Sequence, residues 1–478
     1  MLDKLHEECG VFGIFANDGQ TDVVSAAYYA LYALQHRGQE SCGIAVNDDG
    51  ILTGYKDVGL VNEVFTQDKL EKLPLGKMAV GHCRYATTGT NNRSNAQPML
   101  VNHKKGSLAL CHNGNLTNAH ILRDELESSG AIFHSTNDTE VIAYIITQER
   151  LKCDSIEEAV VQTMKRIEGA YCLVMISSQK MIVARDPNGF RPLCMGKTAE
   201  GAIVFASETC ALDAIEAEFI RDIEAGEVVV VDKNGIVSIP STDKRETSMC
   251  VFEFIYFARP DSTIEGSSVH VARLRAGAFL ALEHPVQADI VVGVPDSGLD
   301  AAVGYSRQSG IPYGLGFIKN KYIARTFIQA GTAKRHNSVR IKLNALRSTV
   351  AGKRVVLVDD SIVRGTTCAR IVKLLRDAGA LEVHMRSSAP PFMHPCYFGT
   401  DIDSRENLIA ANHTIEEICE IIGADSVGYL NVDYLPKLAN NSKCGFCNGC
   451  FTGKYPIAPP ENVSKRTFEC ALSKKQEK

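Results

Sequence analysis

The 478-residue chain is 45% hydrophobic and 22% charged, with a formal net charge of -5 at pH 7; these are ordinary globular values, and they count against a general polyanion-binding surface and nucleic acid as a partner. Its 16 cysteines are scattered through apolar segments and not packed into a small framework, so mostly reduced thiols in a cytoplasmic protein are expected, with a metal-binding subset. No apolar stretch follows a basic start, and no run approaches the roughly 18 apolar residues of a membrane span, so neither export nor a membrane partner is expected.

Behind the polar stretch Met1 to Glu8, Cys9 opens the apolar run Cys9-Gly10-Val11-Phe12-Gly13-Ile14. Removal of that stretch gives the thiol an α-amino group on its own residue. With a reference pKa of about 8 such an amine is partly neutral at pH 7 and can act as the thiol's base, so one residue holds nucleophile and base. The plainer alternative is a small buried cysteine on a core strand.

From Cys9 to about Pro240, short apolar strands (Met78 to Val80, Leu108 to Leu110, Leu173 to Ile176, Val228 to Val231) alternate with helical stretches and Gly, Asn and Thr turns, the pattern of an α+β layer domain. Beyond the polar segment Ser241 to Thr247 the texture changes, and a boundary is placed near 240 to 250. Strands at Asp289 to Gly293, Arg354 to Val358 and Val383 to Arg386, with a helix through Ile371 to Leu375, predict a parallel, doubly wound α/β sheet. The tail from Pro459 is charged and expected to be loose.

Three features of this second half carry chemistry. Between Lys319 and Lys342 there are seven Lys or Arg residues and no acid. A solvated basic face or an RNA contact is the alternative to a pyrophosphate site, but only Tyr322 and Phe327 interleave as aromatics, which favours phosphate. In Val355-Val356-Leu357-Val358-Asp359-Asp360-Ser361-Ile362-Val363-Arg364-Gly365-Thr366-Thr367 a buried strand delivers two carboxylates to a sheet edge. The loop then ends in Gly-Thr-Thr at a helix start, where N–H groups and hydroxyls can cradle a phosphate while the acids hold a ribose diol or Mg2+. Cys444, Cys447 and Cys450 stand at successive two-residue gaps, suited to one metal centre; spacing alone leaves zinc and iron–sulfur equal.

The stretch 355–367 resembles the phosphoribosyl pyrophosphate (PRPP) loop of the type I phosphoribosyltransferases. Cys9 to Ile14, Leu34-Gln35-His36-Arg37-Gly38-Gln39-Glu40-Ser41, Gly81-His82-Cys83-Arg84-Tyr85-Ala86-Thr87, His112-Asn113-Gly114, Thr136-Asn137-Asp138-Thr139-Glu140 and Arg185-Asp186-Pro187 resemble the class II glutamine amidotransferases. With Gly293-Val294-Pro295-Asp296-Ser297 and Cys450-Phe451-Thr452-Gly453-Lys454-Tyr455-Pro456, the motifs cover nearly all the chain and are similar to the family joining both activities, in its iron–sulfur branch. The resemblance implies a propeptide at 1–8, an N-terminal-nucleophile glutaminase domain of αββα layers at 9–245, a phosphoribosyltransferase domain with a parallel sheet at 246–458, and a tail at 459–478.

It further implies that glutamine is hydrolysed to ammonia, which displaces pyrophosphate from PRPP to give 5-phosphoribosylamine, the first step of de novo purine synthesis. Cys9 is the implied nucleophile, Asn113 and Gly114 the oxyanion donors, and Arg84 and Asp138 the holders of the glutamine α-carboxylate and α-ammonium. Ser361, Arg364, Gly365, Thr366 and Thr367 fall on PRPP with Asp359 and Asp360, and Arg325, Arg340 and Lys342 belong to a loop closing over the pyrophosphate. Ser297, Asp359 and Asp360 fall on Mg2+. Cys250, Cys396, Cys447 and Cys450 are the implied ligands of a 4Fe-4S cluster, with Cys444 a non-ligand neighbour. Inhibition by purine nucleotides and a homotetramer or other homo-oligomer are family-level expectations. Two rival readings are a PRPP-sensing regulator without catalysis, which has no use for Cys9, and a glutaminase serving another acceptor, which has no use for the loop at 359–367.

Overall fold

A computed structural model describes residues 9–17, 20–85, 91–243, 245–320, 343–400, 402 and 404–460. The strand Gly10–Phe15 is buried at every position because it lies inside a seven-stranded antiparallel sheet, between Met78–Arg84 and Ile203–Ala206. Strand alternation sends Phe12 and Ile14 under the helix Val23–Ala33 and sends Val11 and Phe15 the other way, into a layer shared with a second sheet. That sheet is six-stranded and antiparallel, with Gly106–Leu116 paired to Gly169–Ser177. Helices Ala119–Ser128, Asp138–Lys152 and Ile156–Met164 cover its far face. The result is the expected αββα stack.

The strand expected at Leu108 to Leu110 runs on to Leu116. His-Asn-Gly-Asn reads locally as a turn, but pairing across to Gly169–Ser177 holds it extended and leaves Asn113 on a strand, not in a loop.

The second half is built on a four-stranded parallel sheet in the order Ile290–Gly293, Arg354–Asp359, Glu382–Ser387, Ser426–Tyr429. Val355 to Val358 are fully buried because both faces are covered. Helices Val269–Glu283 and Gly298–Ser309 pack with Val356 and Val358, whereas Thr366–Asp377 packs its Ile371, Val372 and Leu375 with Val355 and Leu357. A short parallel pair, Met249–Cys250 with Phe446–Cys447, lies apart from this sheet. An antiparallel pair, Phe317–Lys319 with Leu343–Ala345, stands at the foot of the basic segment. Arg325, Arg340 and Lys342, the stretch Met1 to Glu8 and residues 461–478 lie outside the described residues. Among those described, no helix is long and apolar enough to cross a membrane.

Candidate active sites and cysteine cage

Cys9 precedes its strand and is 5% exposed. Its Sγ donates to Tyr85 O at 3.4 Å, and its own carbonyl accepts from Arg37 Nε at 3.0 Å. Asn113 shares the side of its strand taken by Ala109 and Cys111, the side facing the layer between the sheets. It is fully buried, yet among the described residues neither its Nδ2 nor its Oδ1 has a hydrogen-bond partner. Buried amides are nearly always paired, so an orphan of this kind requires a reason; an amide reserved for a reacting carbonyl is one. Gly114 has φ +141, and a Cβ there would lie 2.0 Å from Ala170 O, so the approach of strand Gly169–Ser177 admits only glycine.

Asp138 stands in the first turn of its helix, positioned by the Asn137 side chain, which accepts from Thr139 N at 3.0 Å. Its Oδ2 accepts from Leu116 N at 3.0 Å, and Oδ1 lies 3.5 Å from His112 Nδ1. Burial alone would raise this carboxyl, but His112, the Leu116 N–H and Arg84 outweigh it and hold Asp138 below the usual carboxylate range. Arg84, 2% exposed at the end of its strand, is thus within electrostatic reach of Asp138. His82 ties the Arg84 strand to the Asn113 strand by donating from Nε2 to His112 O at 2.9 Å, and burial lowers its pKa to about 3, so the ring is neutral.

At the parallel sheet, Asp359 and Asp360 emerge at the C-terminal edge, both 3% exposed. Asp360 N donates to Asp359 Oδ1 at 2.9 Å, and the two oxygens of Asp360 accept from Ser361 Oγ at 2.5 Å and from Ser297 Oγ. Ser297, Asp359 and Asp360, far apart in sequence, are thereby brought together as hard oxygen donors, a set that fits Mg2+ supplemented by ligand phosphate oxygens. Gly365 caps the helix Thr366–Asp377 with φ +81, and the first turn carries no acid. Thr367 Oγ1 is buried without a partner among the described residues, while Arg364 and Thr366 are exposed beside it. Lys319, where the basic segment begins, is paired with Asp296.

Residues 82–214 match the glutamine amidotransferase domain family and residues 267–389 the phosphoribosyl transferase domain family. Amidophosphoribosyltransferase of Bacillus subtilis strain 168 is 48% identical over 95% of each chain, and that of Archaeoglobus fulgidus is 47% identical over 95% of this chain and 98% of its own. The chain belongs to the amidophosphoribosyltransferase family. A solved structure of the allosteric regulatory enzyme of purine biosynthesis matches with a TM-score of 0.90 at 47% identity over 97% of this chain and 100% of its own. The B. subtilis glutamine PRPP amidotransferase in complex with ADP and GMP matches with a TM-score of 0.88 at 46% identity over 96% and 100%. Like other amidophosphoribosyltransferases, the chain unites a glutamine amidotransferase with a pentosyltransferase and acts at the first step of purine biosynthesis. Relatives aligned across both halves leave no room for the regulator or the other-acceptor readings.

Cys250, Cys396, Cys447 and Cys450 lie within electrostatic reach of one another in all six pairings. Cys250 pairs with Cys447 across the short parallel strands, and Cys450 O accepts from Met393 N and His394 N, which brings the Cys396 loop in. Burial pushes the Cys250 and Cys450 thiols well up and Cys447 up to about 12. Cys444 is elsewhere: its Sγ lies 3.0 Å from Ser442 Oγ, and Glu265 and Arg185 are its charged neighbours. Among the described residues no group of three or more His, Cys, Asp or Glu converges on a single metal ion. Four buried or half-buried thiols within electrostatic reach of one another are a soft donor set of the kind that suits an iron–sulfur unit or a zinc ion.

Sequence reading passed over a buried ion cluster. Arg37, Glu208, Glu253 and Arg191 are at most 1% exposed and joined by ion pairs of 2.6 to 3.3 Å. The available signal was Glu253 inside the apolar run Val251 to Phe257, where a buried carboxylate demands a cationic partner.

Proposed function

We propose that Cys9, freed of Met1 to Glu8, attacks the glutamine amide with its own α-amine as base, and that Asn113 Nδ2 and the Gly114 N–H receive the developing oxyanion. One such donor is commonly worth about 3 kcal/mol. Arg84 and Asp138 hold the α-carboxylate and α-ammonium of glutamine, and opposite charges at one carbon select the free amino acid. The observation that carries this reading is the Asn113 amide, buried and unpaired between the two sheets.

In the other half, Asp359 and Asp360 hold the ribose side of PRPP, and Ser361, Arg364, Gly365, Thr366 and Thr367 enclose its 5-phosphate. Arg325, Arg340 and Lys342 meet the pyrophosphate, excluding water from an oxocarbenium-like carbon. Bound Mg2+, held by Ser297, Asp359 and Asp360, supplies charge neutralisation to the departing pyrophosphate. Cys250, Cys396, Cys447 and Cys450 hold a 4Fe-4S cluster that ties the C-terminal segment to the domain. Domain limits at 9–245 and 246–458, a homo-oligomeric assembly, cytoplasmic residence and inhibition by purine nucleotides complete the reading. The last is supported by the B. subtilis relative solved with ADP and GMP.

The test is glutamine- and ammonia-dependent pyrophosphate release from PRPP. Cys9→Ala is expected to abolish the first and keep the second; loss of both in folded protein refutes the division of labour. For the cage, anaerobic protein is expected to carry about four irons per chain. Serine at Cys250, Cys396, Cys447 or Cys450 should lose that iron, since a neutral hydroxyl does not replace a soft thiolate, whereas Cys444→Ser retains it. Stoichiometric zinc, or iron loss only in Cys444→Ser, refutes the cage.

A further inference from the structure

Cys9 stands one residue ahead of the first paired strand residue, Gly10. Its carbonyl is instead fixed by Arg37, whose guanidinium is held by both halves of the molecule. Nη1 donates to Glu208 Oε1 at 2.6 Å and to Glu253 Oε2 at 2.9 Å, and Nη2 donates to Glu253 Oε1 at 2.8 Å. Glu208 lies just after the strand beside Gly10–Phe15, but Glu253 opens the π-helical turn Glu253–Phe257, which packs in the core of the parallel-sheet half with Val356 and Val358. Single-turn π segments often mark functional positions. This one turns Glu253 toward Arg37 while Phe254 and Phe257 stay in the core.

The turn is itself clamped. Arg273, buried on the helix Val269–Glu283, donates to Phe254 O, Tyr256 O and Ala258 O at 2.9, 3.0 and 2.6 Å. From the other side Arg191 Nη1 lies 3.3 Å from Glu253 Oε1, and its Nη2 donates to Phe398 O at 2.8 Å. The helix bearing Arg273 packs against Gly298–Ser309, the helix that starts at Ser297. A planar guanidinium gripped by a carboxylate at both Nη atoms has one orientation, and inside a protein neither partner can be lost without leaving an uncompensated charge.

We infer that Glu253 of the transferase half is a positioning residue for the glutaminase: through its two-point hold on Arg37 it fixes the carbonyl of Cys9, so the nucleophile is placed only when the two halves are docked. This rests on the reading of Cys9 as the nucleophile. It assigns Glu253 and Arg37 a role in one half-reaction alone, since neither touches the Asp359 edge.

The experiment uses the full chain with its N-terminus processed and compares wild type, Glu253→Gln, Arg37→Lys and Cys9→Ala. It reads both pyrophosphate-release routes, and the rate at which an electrophilic diazoketone analogue of glutamine alkylates Cys9. A misplacement of order 1 Å costs about 10²-fold in rate. Glu253→Gln is therefore expected to lower glutamine-dependent kcat roughly 10- to 100-fold, to change KM for glutamine by less than about threefold, and to slow alkylation of Cys9 in proportion to kcat. Ammonia-dependent turnover stays at the wild-type rate. Arg37→Lys, which keeps the charge and loses the fork, gives the same split and decides the matter alone should Glu253→Gln fail to fold. Equal falls in both routes for a folded Arg37→Lys, or unchanged alkylation of Cys9 in both variants, overturn the positioning role. Glutamine-dependent turnover surviving in Cys9→Ala overturns the nucleophile assignment instead.

Discussion

Around Cys9 the charged groups are already paired inside the protein: Arg37 lies on Glu208 and Glu253, and Asp138 on His112 and the Leu116 N–H. At the Asp359 edge, Thr367 Oγ1 is buried with no partner, the helix beyond it starts without an acid, and Arg364 faces solvent. The thiol site leaves one amide, Asn113, unpaired among the described residues; the phosphate site leaves the Thr367 hydroxyl unpaired at a helix start that carries no acid. The difference follows from what each receives. A glutamine amide is neutral and develops charge only during reaction, so a pre-set scaffold with one waiting donor suffices. PRPP arrives with its own charges, so a site proposed for it must hold back pairing capacity until the ligand fills it.

Crossed substitutions test that contrast most strongly. Asn113→Ala is expected to cut glutamine-dependent turnover about 10²- to 10³-fold and leave the ammonia route alone. Asp360→Asn is expected to impair both routes alike, because ammonia cannot bypass a damaged PRPP site; steady-state rates with each nitrogen donor check the pair. An Asp360→Asn enzyme that fails only with glutamine would break the comparison.

The pre-paired side should also show itself as acid sensitivity. Burial opposes ionisation of Glu208, but His36 and Arg37 more than offset it and hold the carboxyl far below its ordinary value of 4.5. As pH falls below 4.5 the unfolded chain takes up this proton first, so the stabilisation present above that pH is progressively lost. Removing one partner of a buried pair costs about 3–5 kcal/mol. Glu208→Gln should therefore unfold at lower denaturant near pH 7, with the gap to wild type narrowing as pH drops below 4.5. A gap that does not change with pH would contradict it.

The smallest effect expected is at the phosphate loop. Thr367→Val removes one hydroxyl whose bond to a charged ligand is worth about 1.5–3 kcal/mol. KM for PRPP should rise by roughly tenfold or somewhat more, with folding stability unchanged or slightly improved, since the free protein leaves that hydroxyl unpaired. Loss of stability without a change in KM would make Thr367 a structural residue.

The candidate phosphate site reads from the sequence because its strand, loop and helix are contiguous: Val355 to Thr367 form one unit, to which Ser297 and the basic segment 319–342 come from elsewhere. The candidate thiol site draws on three strands and a helix start that are distant in the chain, so Cys9, Arg84, Asn113 and Asp138 are linked in the sequence only through motif order. Gly114 was visible as a residue, but its reason, the approach of Ala170 O, belongs to a neighbouring strand. The Arg37–Glu253 pair spans 216 residues, and no local pattern tells which arginine a buried glutamate will meet. Among Cys444, Cys447 and Cys450 spacing is uniform; they become unequal only when Cys447 is paired beside Cys250 and Cys444 turns to Ser442.

The parallel pair Met249–Cys250 with Phe446–Cys447 closes a loop of chain that contains every strand of the four-stranded sheet. A pull applied to the chain before Met249 and after Cys447 reaches this clasp first, and draws the two parallel strands past each other along their length. That is shear, in which all the cross-strand bonds resist together, not peeling, in which they yield one by one. The four-stranded sheet lies in the chain between the two strands of the clasp, so a pull along the chain from these two points loads the clasp before it loads the sheet.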